Sequence, residues 1–559
     1  MSAAPSTSSE RSSFFTNRLW LVPLTVAIAV GVWLRLDQIL AQVLIDDEWH
    51  AIHQLLLYTP SQMFLDFGYA DYSIPLGILD WYEAQWFGLS ELSMRLPMLI
   101  AGIAALVLFP TYVARRLSYA TAAVFALLLA MSPLLIIYSR MARPYALTLL
   151  LGWIAHAAFQ RYWRGSGGAL GAGALYGTSA TLAIWLHLIV APFAFAPLVW
   201  GAFQIRRLAP DTRRAQWIKL AWLAVPTGLA TSALIVPPYV ASARWLALKS
   251  GLDLPNAGTI TGVWYAWVGT PSTWVVIACG VFAAIGMVEL WRRLPEARTG
   301  ALGVLLTLLG VLITRPMFSY NPVTLARYLL PLVPLLLLAV SEGAVTISRL
   351  AFGPGIGRHA LAILVVLVPG AALAWHSPLV PLLREPNSET LHLAFHFDFR
   401  PEHNPYFSRA ADIPLSRYWE RLGQLPADSA RVAVAPAYFE SFNWDAPRWE
   451  QLSHQRVVPA YLIGLCTGRR FGEVPDDIRF RFRNAVPLTD PASLAGHDID
   501  YLIWQKPYLR SVDGHPRTVG IDTAHCEPTL RARFGPPSYE DERVIVFDVP
   551  RARPADAER

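Results

Sequence analysis

Long apolar runs fill the sequence up to residue 376 and set the strongest limit on its fold. A run of roughly 17–25 apolar residues crosses the hydrocarbon core of a bilayer as a helix. The composition agrees, because 54% of the residues are hydrophobic, 15% are charged and the mean hydropathy is +0.37. We predict a polytopic α-helical membrane protein with eleven spans, near residues 18–36, 94–114, 119–138, 144–163, 169–187, 188–205, 216–237, 272–290, 299–316, 323–341 and 358–376.

Basic residues between these runs predict the orientation, because short cytoplasmic loops are rich in Lys and Arg. The clusters fall on one side if the N-terminus is cytoplasmic and the first span is retained rather than cleaved as a signal peptide. Residues 74–89 carry two acids and are short for a span, so we interpret them as an amphipathic helix on the membrane. The loop 37–93 is then extracytoplasmic. The clusters are Arg115/Arg116, Arg161/Arg164, Arg206/Arg207 with Arg213/Arg214, Arg292/Arg293 with Arg298, and Arg349/Arg358.

The hydropathy falls after residue 376, which divides the chain into a transmembrane domain, 1–376, and a soluble domain, 377–559. The segments "ARVAVAPAYF", "DIDYLIWQ" and "RVIVFDV" have strand-like apolar and β-branched character, which predicts an α/β fold. An odd number of spans places this domain outside the cytoplasm. Cys466 and Cys526 could form a disulfide there, and two unpaired thiols are the alternative. The net charge of +6 indicates no nucleic-acid partner.

The segment "LIDDEWHAIHQLL", residues 44–56, places three consecutive acids and two histidines directly after the first span. Apolar positions at helical spacing predict an amphipathic helix with Asp47 and His50 on its wetter side. The acids could cap that helix. Asp46, His50 and His53 could instead hold a metal, or a carboxylate could act as a general base.

Arginines on the disfavoured, outer side form a second group of candidates. Arg140 and Arg143 lie in "YSRMARPYAL", and Arg327 and Tyr328 lie at the entrance of the tenth span. Interfacial snorkelling would explain Arg140, and a bidentate grip on a phosphate would explain an arginine at headgroup level. His187 lies alone in an apolar run, where a structural histidine is the alternative to a ligand-binding one.

Taken together, these motifs resemble the GT-C superfamily of membrane glycosyltransferases, in the branch with protein O-mannosyltransferases and lipid A aminoarabinose transferases. The resemblance covers roughly the first 150 residues in motifs and the rest in architecture. Asp71 lies in a matching motif, although Ser73 and Ile74 replace the basic residue and first proline of the family. The strings that carry the resemblance are "IDDEWH", "DYSIPL", "LSELSMRLPMLIAG", "SPLLIIYSRMARPYAL" and "RYLLPLVP".

The resemblance implies transfer of a hexosyl or pentosyl group from a polyprenyl-phosphate donor to a lipid, glycan or protein hydroxyl, with inversion, at the outer face of the inner membrane. It implies Asp47 as general base and Glu48 as a residue that helps position Asp47 or the acceptor. Arg143, Arg327, Arg140 and His187 would hold the donor phosphate, and Asp71, His50 and Tyr328 would contact the acceptor or donor. No cofactor is expected, with a divalent metal as the alternative.

Two other classes of function use the same spans. A transporter or lipid flippase would show internal repeats and polar residues near the middle of the membrane. The sequence shows no clear repeat, and its notable charges lie at the ends of spans. A membrane-anchored sensor would make little use of so many spans. Glycosyl transfer is therefore the function that the sequence favours.

Overall fold

The computed structural model describes residues 7–352, apart from 45–46, 68–72, 166–167 and 253, and residues 379–550, apart from 397–398, 401–414, 437–438, 466–473, 513–514 and 520–523. The helices of the first range are α1 (Thr7–Leu36), α2 (Asp47–Leu57), α3 (Pro60–Leu65), α4 (Ile74–Trp86), α5 (Glu91–Arg116), α6 (Tyr119–Met131), α7 (Pro133–Ser139), α8 (Tyr145–Arg164), α9 (Ala169–Leu186), α10 (Ala191–Ile205), α11 (Pro210–Ala241), α12 (Ala243–Leu248), α13 (Ala257–Val268), α14 (Thr273–Arg293), α15 (Pro295–Thr314), α16 (Pro322–Tyr328) and α17 (Val333–Phe352).

The second range contains short helices and all the strands. They are α18 (Leu379–Arg384), α19 (Ser388–His396), α20 (Tyr418–Leu422), β1 (Arg431–Ala435), α21 (Phe439–Ser453), β2 (Arg456–Leu462), β3 (Val486–Leu488), α22 (Pro491–Ala495), β4 (Tyr501–Gln505), β5 (Tyr508–Val512), β6 (His515–Val519), α23 (Glu527–Phe534), β7 (Tyr539–Glu540) and β8 (Val544–Asp548).

The chain folds as two compact units that do not follow chain order. The helical unit comprises Met1–Asp37, Pro97–Val380 and Asp398–Pro401, and the mixed unit comprises Gln38–Leu96, Pro381–Phe397 and Glu402–Arg559. Residues 38–96, grouped with residues 1–376 in the sequence analysis, thus pack in the mixed unit with most of the C-terminal part.

Seven helices within the described residues are long and apolar enough to cross a membrane, or up to eight if the bent pair α6 and α7 forms one span. The first predicted span corresponds to a shorter apolar stretch, Trp20–Leu36. The fourth corresponds to the 20-residue helix α8, which is not among these seven helices. The eleventh, 358–376, lies outside the described residues. The chain is an integral membrane protein with several spans.

Close backbone approach joins α14 to α17 in the helical unit. A side chain at Gly286 would collide with the carbonyl of Ala339, and one at Gly343 with the carbonyl of Phe282. Small residues allow such approach where hydrophobic burial gives no net drive between helices in lipid. These two glycines therefore fix how the two helices cross.

Basic residues that the positive-inside rule groups together also meet in space. Arg116, at the end of α5, and Arg164, at the end of α8, lie 3.5 and 3.9 Å from the Glu296 carboxylate in the first turn of α15. Arg293, at the end of α14, lies 2.8 Å from Glu342. The basic ends of these helices thus lie at one end of the helical unit.

The C-terminal part contains the predicted α/β fold. Its six-stranded sheet has the order β3-β2-β1-β4-β8-β7, in which the first four strands are parallel and β8 runs antiparallel to β4. All three predicted strands are present, as β1, β4 and β8. Their apolar side chains are buried on both faces of the sheet. That is the burial expected of parallel strands covered by helices.

A second, separate sheet is the hairpin of β5 and β6. Cys526 is disulfide-bonded and Cys279 is a free cysteine. The predicted bond between Cys466 and Cys526 involves Cys466, which lies outside the described residues.

An extended segment of the C-terminal part, residues 479–484, pairs with the loop before α5. Leu89 donates its N–H to Arg479 and accepts from the N–H of Arg481, at 2.9 and 2.8 Å. The Glu91 carboxylate accepts the N–H groups of Arg483 and Asn484, at 2.8 and 2.7 Å. Backbone pairing and a buried carboxylate therefore hold residues 38–96 to the α/β fold.

Candidate functional site

The acidic segment forms the first turn of α2. Asp47 and Glu48 are its first two residues, where the helix dipole and free N–H groups favour carboxylates. Asp47 is 8% exposed and Glu48 is fully buried. His50 Nε2 lies 3.8 Å from Asp47 Oδ1, an ion-pair distance that applies only when the imidazole is protonated. The two adjacent acids therefore have different surroundings.

Glu48 is bound by a residue to which the sequence analysis gave no role. Arg95 donates from Nε and Nη2 to the two oxygens of Glu48, both at 2.8 Å. It also donates to the carbonyls of Gln42 and Val43, both at 2.8 Å. A guanidinium fork matches a carboxylate in this way and keeps its charge at any relevant pH. Arg95 thus ties α2 to the backbone that leads into it.

Aromatic packing fixes the same turn. Trp49 Nε1 donates to the carbonyl of Leu44 at 3.0 Å, and its ring meets that of Phe482 edge to face, with centroids 6.4 Å apart. Phe482 belongs to the segment that pairs with Leu89. Contacts of Trp49 and Glu48 therefore anchor the first turn that carries Asp47.

A cationic and aromatic cluster forms in the helical unit. The Tyr145 and His187 rings lie 5.3 Å apart, and those of His187 and Tyr328 lie 5.9 Å apart. Arg327 Cζ lies 5.9 Å from the Tyr145 ring centre and 5.6 Å from that of Tyr328. Tyr138 packs on Tyr145 at 5.0 Å. Three predicted site residues, His187, Arg327 and Tyr328, thus come together around Tyr145.

Local sequence explains where the side chains of this cluster lie on their helices. Pro144 precedes the first residue of α8, which is Tyr145, while His187 ends α9 in extended backbone. The Asn321 side chain caps α16 by accepting the N–H groups of Val323 and Thr324, so that Arg327 lies in its last turn. Each residue therefore lies at the end of a helix, where its side chain can extend beyond the last turn.

The other two predicted arginines have different surroundings. Arg140 is fully buried, and its Nη1 donates to the carbonyls of Leu34 and Asp37, at 3.1 and 2.6 Å. It therefore satisfies carbonyls at the end of α1 and does not snorkel to an interface. Arg143 is 6% exposed and lies in the tight turn between α7 and α8, where its backbone N–H donates to the backbone carbonyl of Met141 at 2.8 Å.

Asp80 is a buried carboxyl group to which the sequence analysis gave no catalytic or binding role. It lies on α4, a helix of 13 residues within the segment that we interpreted as lying on the membrane. Burial raises the pKa of Asp80 well above its usual range, and the nearby Glu83 carboxylate adds to the shift. An acid within the apolar run "IPLGILDWYEAQWFGL" was the available signal.

Some predicted residues are not placed. Asp71 and Asp46 lie outside the described residues, so the proposed contact through Asp71 and the metal triad through Asp46 stay predictions. Within the part of the chain that the structure describes, no group of three or more His, Cys, Asp or Glu side chains is arranged to hold a metal. His53 lies beside Trp49, with ring centres 6.5 Å apart.

No protein-family model matches the chain, and no curated protein matches it in sequence. Its structure is similar to crystal structures of ArnT from Cupriavidus metallidurans, in the apo state and bound to undecaprenyl phosphate. Both are 11% identical, with TM-scores of 0.44 and 0.45, over 94% of this chain and 97% of that chain. A third is the Archaeoglobus fulgidus oligosaccharyltransferase tethered to an acceptor peptide, at 12% identity and a TM-score of 0.41, over 91% of this chain and 75% of that chain.

ArnT and the oligosaccharyltransferase are GT-C superfamily members. The sequence motifs described above resemble the same superfamily. At these identities and TM-scores the likenesses carry no argument about donor, acceptor or catalytic residues.

Proposed function

We propose that this chain is a membrane glycosyltransferase that moves a sugar from a polyprenyl-phosphate donor to an acceptor hydroxyl, with inversion. One observation carries the proposal. Arg327, His187 and Tyr328 are far apart in sequence and were each predicted to contact the donor or acceptor, and they pack around Tyr145 in one cluster. A cation held among aromatic rings suits an amphiphilic phosphate ester.

Arg327 would bind the donor phosphate in this proposal. Its guanidinium lies over two tyrosine rings, whose faces attract a cation. A phosphate that leaves with a developing negative charge needs a fixed cation more than it needs an acid. His187 and Arg143 would add donors to the same phosphate, whereas the bonds of Arg140 to α1 suit a structural role.

Asp47 would act as the general base. Its carboxylate takes the proton of the acceptor hydroxyl while the hydroxyl oxygen bonds to the anomeric carbon. The bond from that carbon to the phosphate oxygen breaks, and its electron pair leaves on the lipid phosphate. Attack opposite the leaving group inverts the anomeric configuration. Acceptor contacts through His50 and Asp71 remain part of the proposal.

Glu48 would position Asp47 rather than touch substrate. Both of its oxygens accept hydrogen bonds from Arg95, and its side chain is fully buried. A carboxylate held in this way cannot turn toward a substrate without breaking a buried, charge-assisted pair. This arrangement separates the tasks of the two adjacent acids.

The proposal includes a place in the cell. The N-terminus would be cytoplasmic, and residues 38–96 with the α/β fold would lie outside the inner membrane, where they meet lipid-linked sugars. Reporter fusions after Arg115 and at the C-terminus test this orientation. Equal labelling of both positions from the same side of the membrane would contradict it.

The deciding experiment compares cell-envelope glycans and glycolipids by mass spectrometry with the protein, without it, and with Asp47→Asn. Loss of one sugar modification in both altered strains would support the proposal and name donor and acceptor classes together. Asp47→Asn is expected to lower transfer by about 100-fold or more in isolated membranes, the range found for a general base.

Glu542→Gln is the matched control, because Glu542 is a carboxylate of the same unit with an 84% exposed side chain. It should leave transfer unchanged. Identical envelope profiles with and without the protein would overturn glycosyl transfer. Full transfer by Asp47→Asn would overturn only the assignment of the base.

A further inference from the structure

An open cavity of about 490 Å³ lies in the helical unit at the ends of four helices. It is lined by Trp163 of α8, Trp200 and Phe203 of α10, and Gln216 of α11, among others. Arg207, just past the end of α10, and Arg298, in the first turn of α15, complete its charged wall. The cavity thus combines aromatic rings, amides and two guanidinium groups.

This cavity is separate from the cluster around Tyr145. His187 lies just before the start of α10 and Arg207 just after its end. The 15 residues of α10 span about 22 Å at 1.5 Å per residue. The cavity therefore belongs to the basic end of the helical unit, and its occupant does not depend on the proposed function.

Both guanidinium groups are held in place without a carboxylate. Arg207 stacks on the Phe203 ring, with Cζ 4.3 Å from its centre. Arg298 donates to the carbonyls of Trp291 and Arg292 at the end of α14. Neither forms an ion pair with any described residue. Lys219 adds a further cation, as its Nζ lies 5.8 Å from the Trp163 ring. The cavity consequently favours an anion.

The surroundings of the cavity suit acyl chains. Val199, Phe203 and Ile218, on α10 and α11, are 48%, 43% and 50% exposed. Residues Leu188–Ile205, which include α10, and Pro210–Ala241, which form α11, are each long and apolar enough to cross a membrane. Trp200 and Trp163 supply the amphipathic rings found at the level of lipid headgroups. A ligand whose head is anionic and whose tails are apolar would satisfy both the cavity and these exposed faces.

We propose that this cavity binds the headgroup of an anionic phospholipid, with Arg207 and Arg298 on its phosphate and its acyl chains along α10 and α11. Basic pockets between spans recognise such headgroups, and each arginine near an anionic lipid contributes about 1 kcal/mol, which is about 5-fold in affinity. The lipid would brace the ends of α8, α10, α11 and α15 against one another.

Native mass spectrometry of the full chain in neutral detergent tests this proposal. The protein is titrated with phosphatidylglycerol, and separately with phosphatidylcholine, and the bound lipid is counted. We expect at least one phosphatidylglycerol to bind about 5-fold or more tightly than phosphatidylcholine. Arg207→Gln should weaken the binding of phosphatidylglycerol by about 5-fold and leave the binding of phosphatidylcholine unchanged.

Arg214→Gln is the matched control, because Arg214 is an exposed arginine at the start of α11 that does not line the cavity. It should change the affinity less than 2-fold. Gln204 of α10 also lines the cavity. Gln204→Trp fills the cavity without changing charge and should abolish the preference for phosphatidylglycerol. Unchanged unfolding temperatures show that each variant is folded. Arg298→Lys is a second variant of the cavity wall, and it keeps the positive charge.

Three results would overturn the proposal. Arg207→Gln and the control Arg214→Gln could weaken phosphatidylglycerol binding equally, which would show only an effect of the protein's overall charge. Gln204→Trp could retain full binding, which would place the lipid elsewhere. Inorganic phosphate could displace phosphatidylglycerol completely at millimolar concentration, which would show a site for a free anion rather than for a lipid.

Discussion

Arg95 grips Glu48 with two parallel hydrogen bonds of 2.8 Å, and both side chains are completely buried. The pair joins the start of the span α5 to the first turn of α2. Because Arg95 also binds the carbonyls of Gln42 and Val43, one side chain contacts both this backbone and the first turn of α2. The order of this turn therefore depends on a contact 47 residues away in sequence.

Removing either partner of this pair should destabilise the protein. Glu48→Ala or Arg95→Ala leaves a buried charge without its counterion, which typically costs about 3–5 kcal/mol. Thermal unfolding in detergent measures the loss. Asp47→Asn should leave the unfolding temperature nearly unchanged. If the two residues are coupled, the double variant Glu48→Ala/Arg95→Ala should lose less stability than the sum of the losses in the two single variants. Losses that simply add would contradict the coupling.

Arg327 should set donor affinity. Arg327→Gln removes the cation and is expected to weaken donor binding by about 10-fold to 100-fold, the range for a hydrogen bond to a charged group. Arg327→Lys keeps the charge but loses the planar fork, so an intermediate loss is expected. The apparent KM for a polyprenyl-phosphate sugar measures both.

Arg244→Gln is the control for Arg327, since Arg244 is an exposed arginine of the same unit. It should leave the KM unchanged. An Arg327→Gln enzyme with normal KM and normal transfer would remove Arg327 from the proposed phosphate site.

Glu91 should hold the 479–484 segment in place. Glu91→Ala leaves the N–H groups of Arg483 and Asn484 without their acceptor, at about 1–3 kcal/mol for each buried group. Hydrogen exchange of these amides is expected to rise by about 10-fold or more. Asp477→Asn, which alters only an exposed contact with Gln85, is the control. Equal protection in wild type and Glu91→Ala would contradict this role.

Glu450 should make the stability of the α/β fold depend on pH. Its carboxyl accepts the N–H groups of Glu389 and Val457, at 2.7 and 3.0 Å, yet burial outweighs them and raises its pKa to about 8. The folded protein then keeps a proton that the unfolded chain releases near pH 4.5. Stability is fully present below that pH and falls as pH rises toward about 8, by about 1.4 kcal/mol per unit.

Urea unfolding of the full chain at several pH values between 5 and 8 measures this slope. Glu450→Gln should flatten it, because the amide does not titrate. Glu542→Gln, at the exposed carboxylate, should preserve it. A slope of the opposite sign in the wild type would show that Glu450 folds in its charged form.

Periodic and local features were predictable from the sequence. Apolar runs predicted most of the spans, because the length of an apolar run is a local property that must match the thickness of the bilayer's hydrocarbon core. The strands β1, β4 and β8 followed from their β-branched and aromatic composition. Asp47 and Glu48 at the start of a helix followed from the preference of first turns for acids.

Tertiary structure alone decided which distant residues meet. No period in the sequence links Glu48 to Arg95, or Tyr145 to His187 and Arg327, because such contacts depend on how helices and strands pack. Packing also gave Arg140 a structural role, by burying it against the carbonyls at the end of α1. In the same way, backbone pairing of 479–484 with Leu89 joined residues 38–96 to the α/β fold. The sequence thus determined the chemistry available to this protein, and long-range packing determined which of those groups are buried and which of them contact one another.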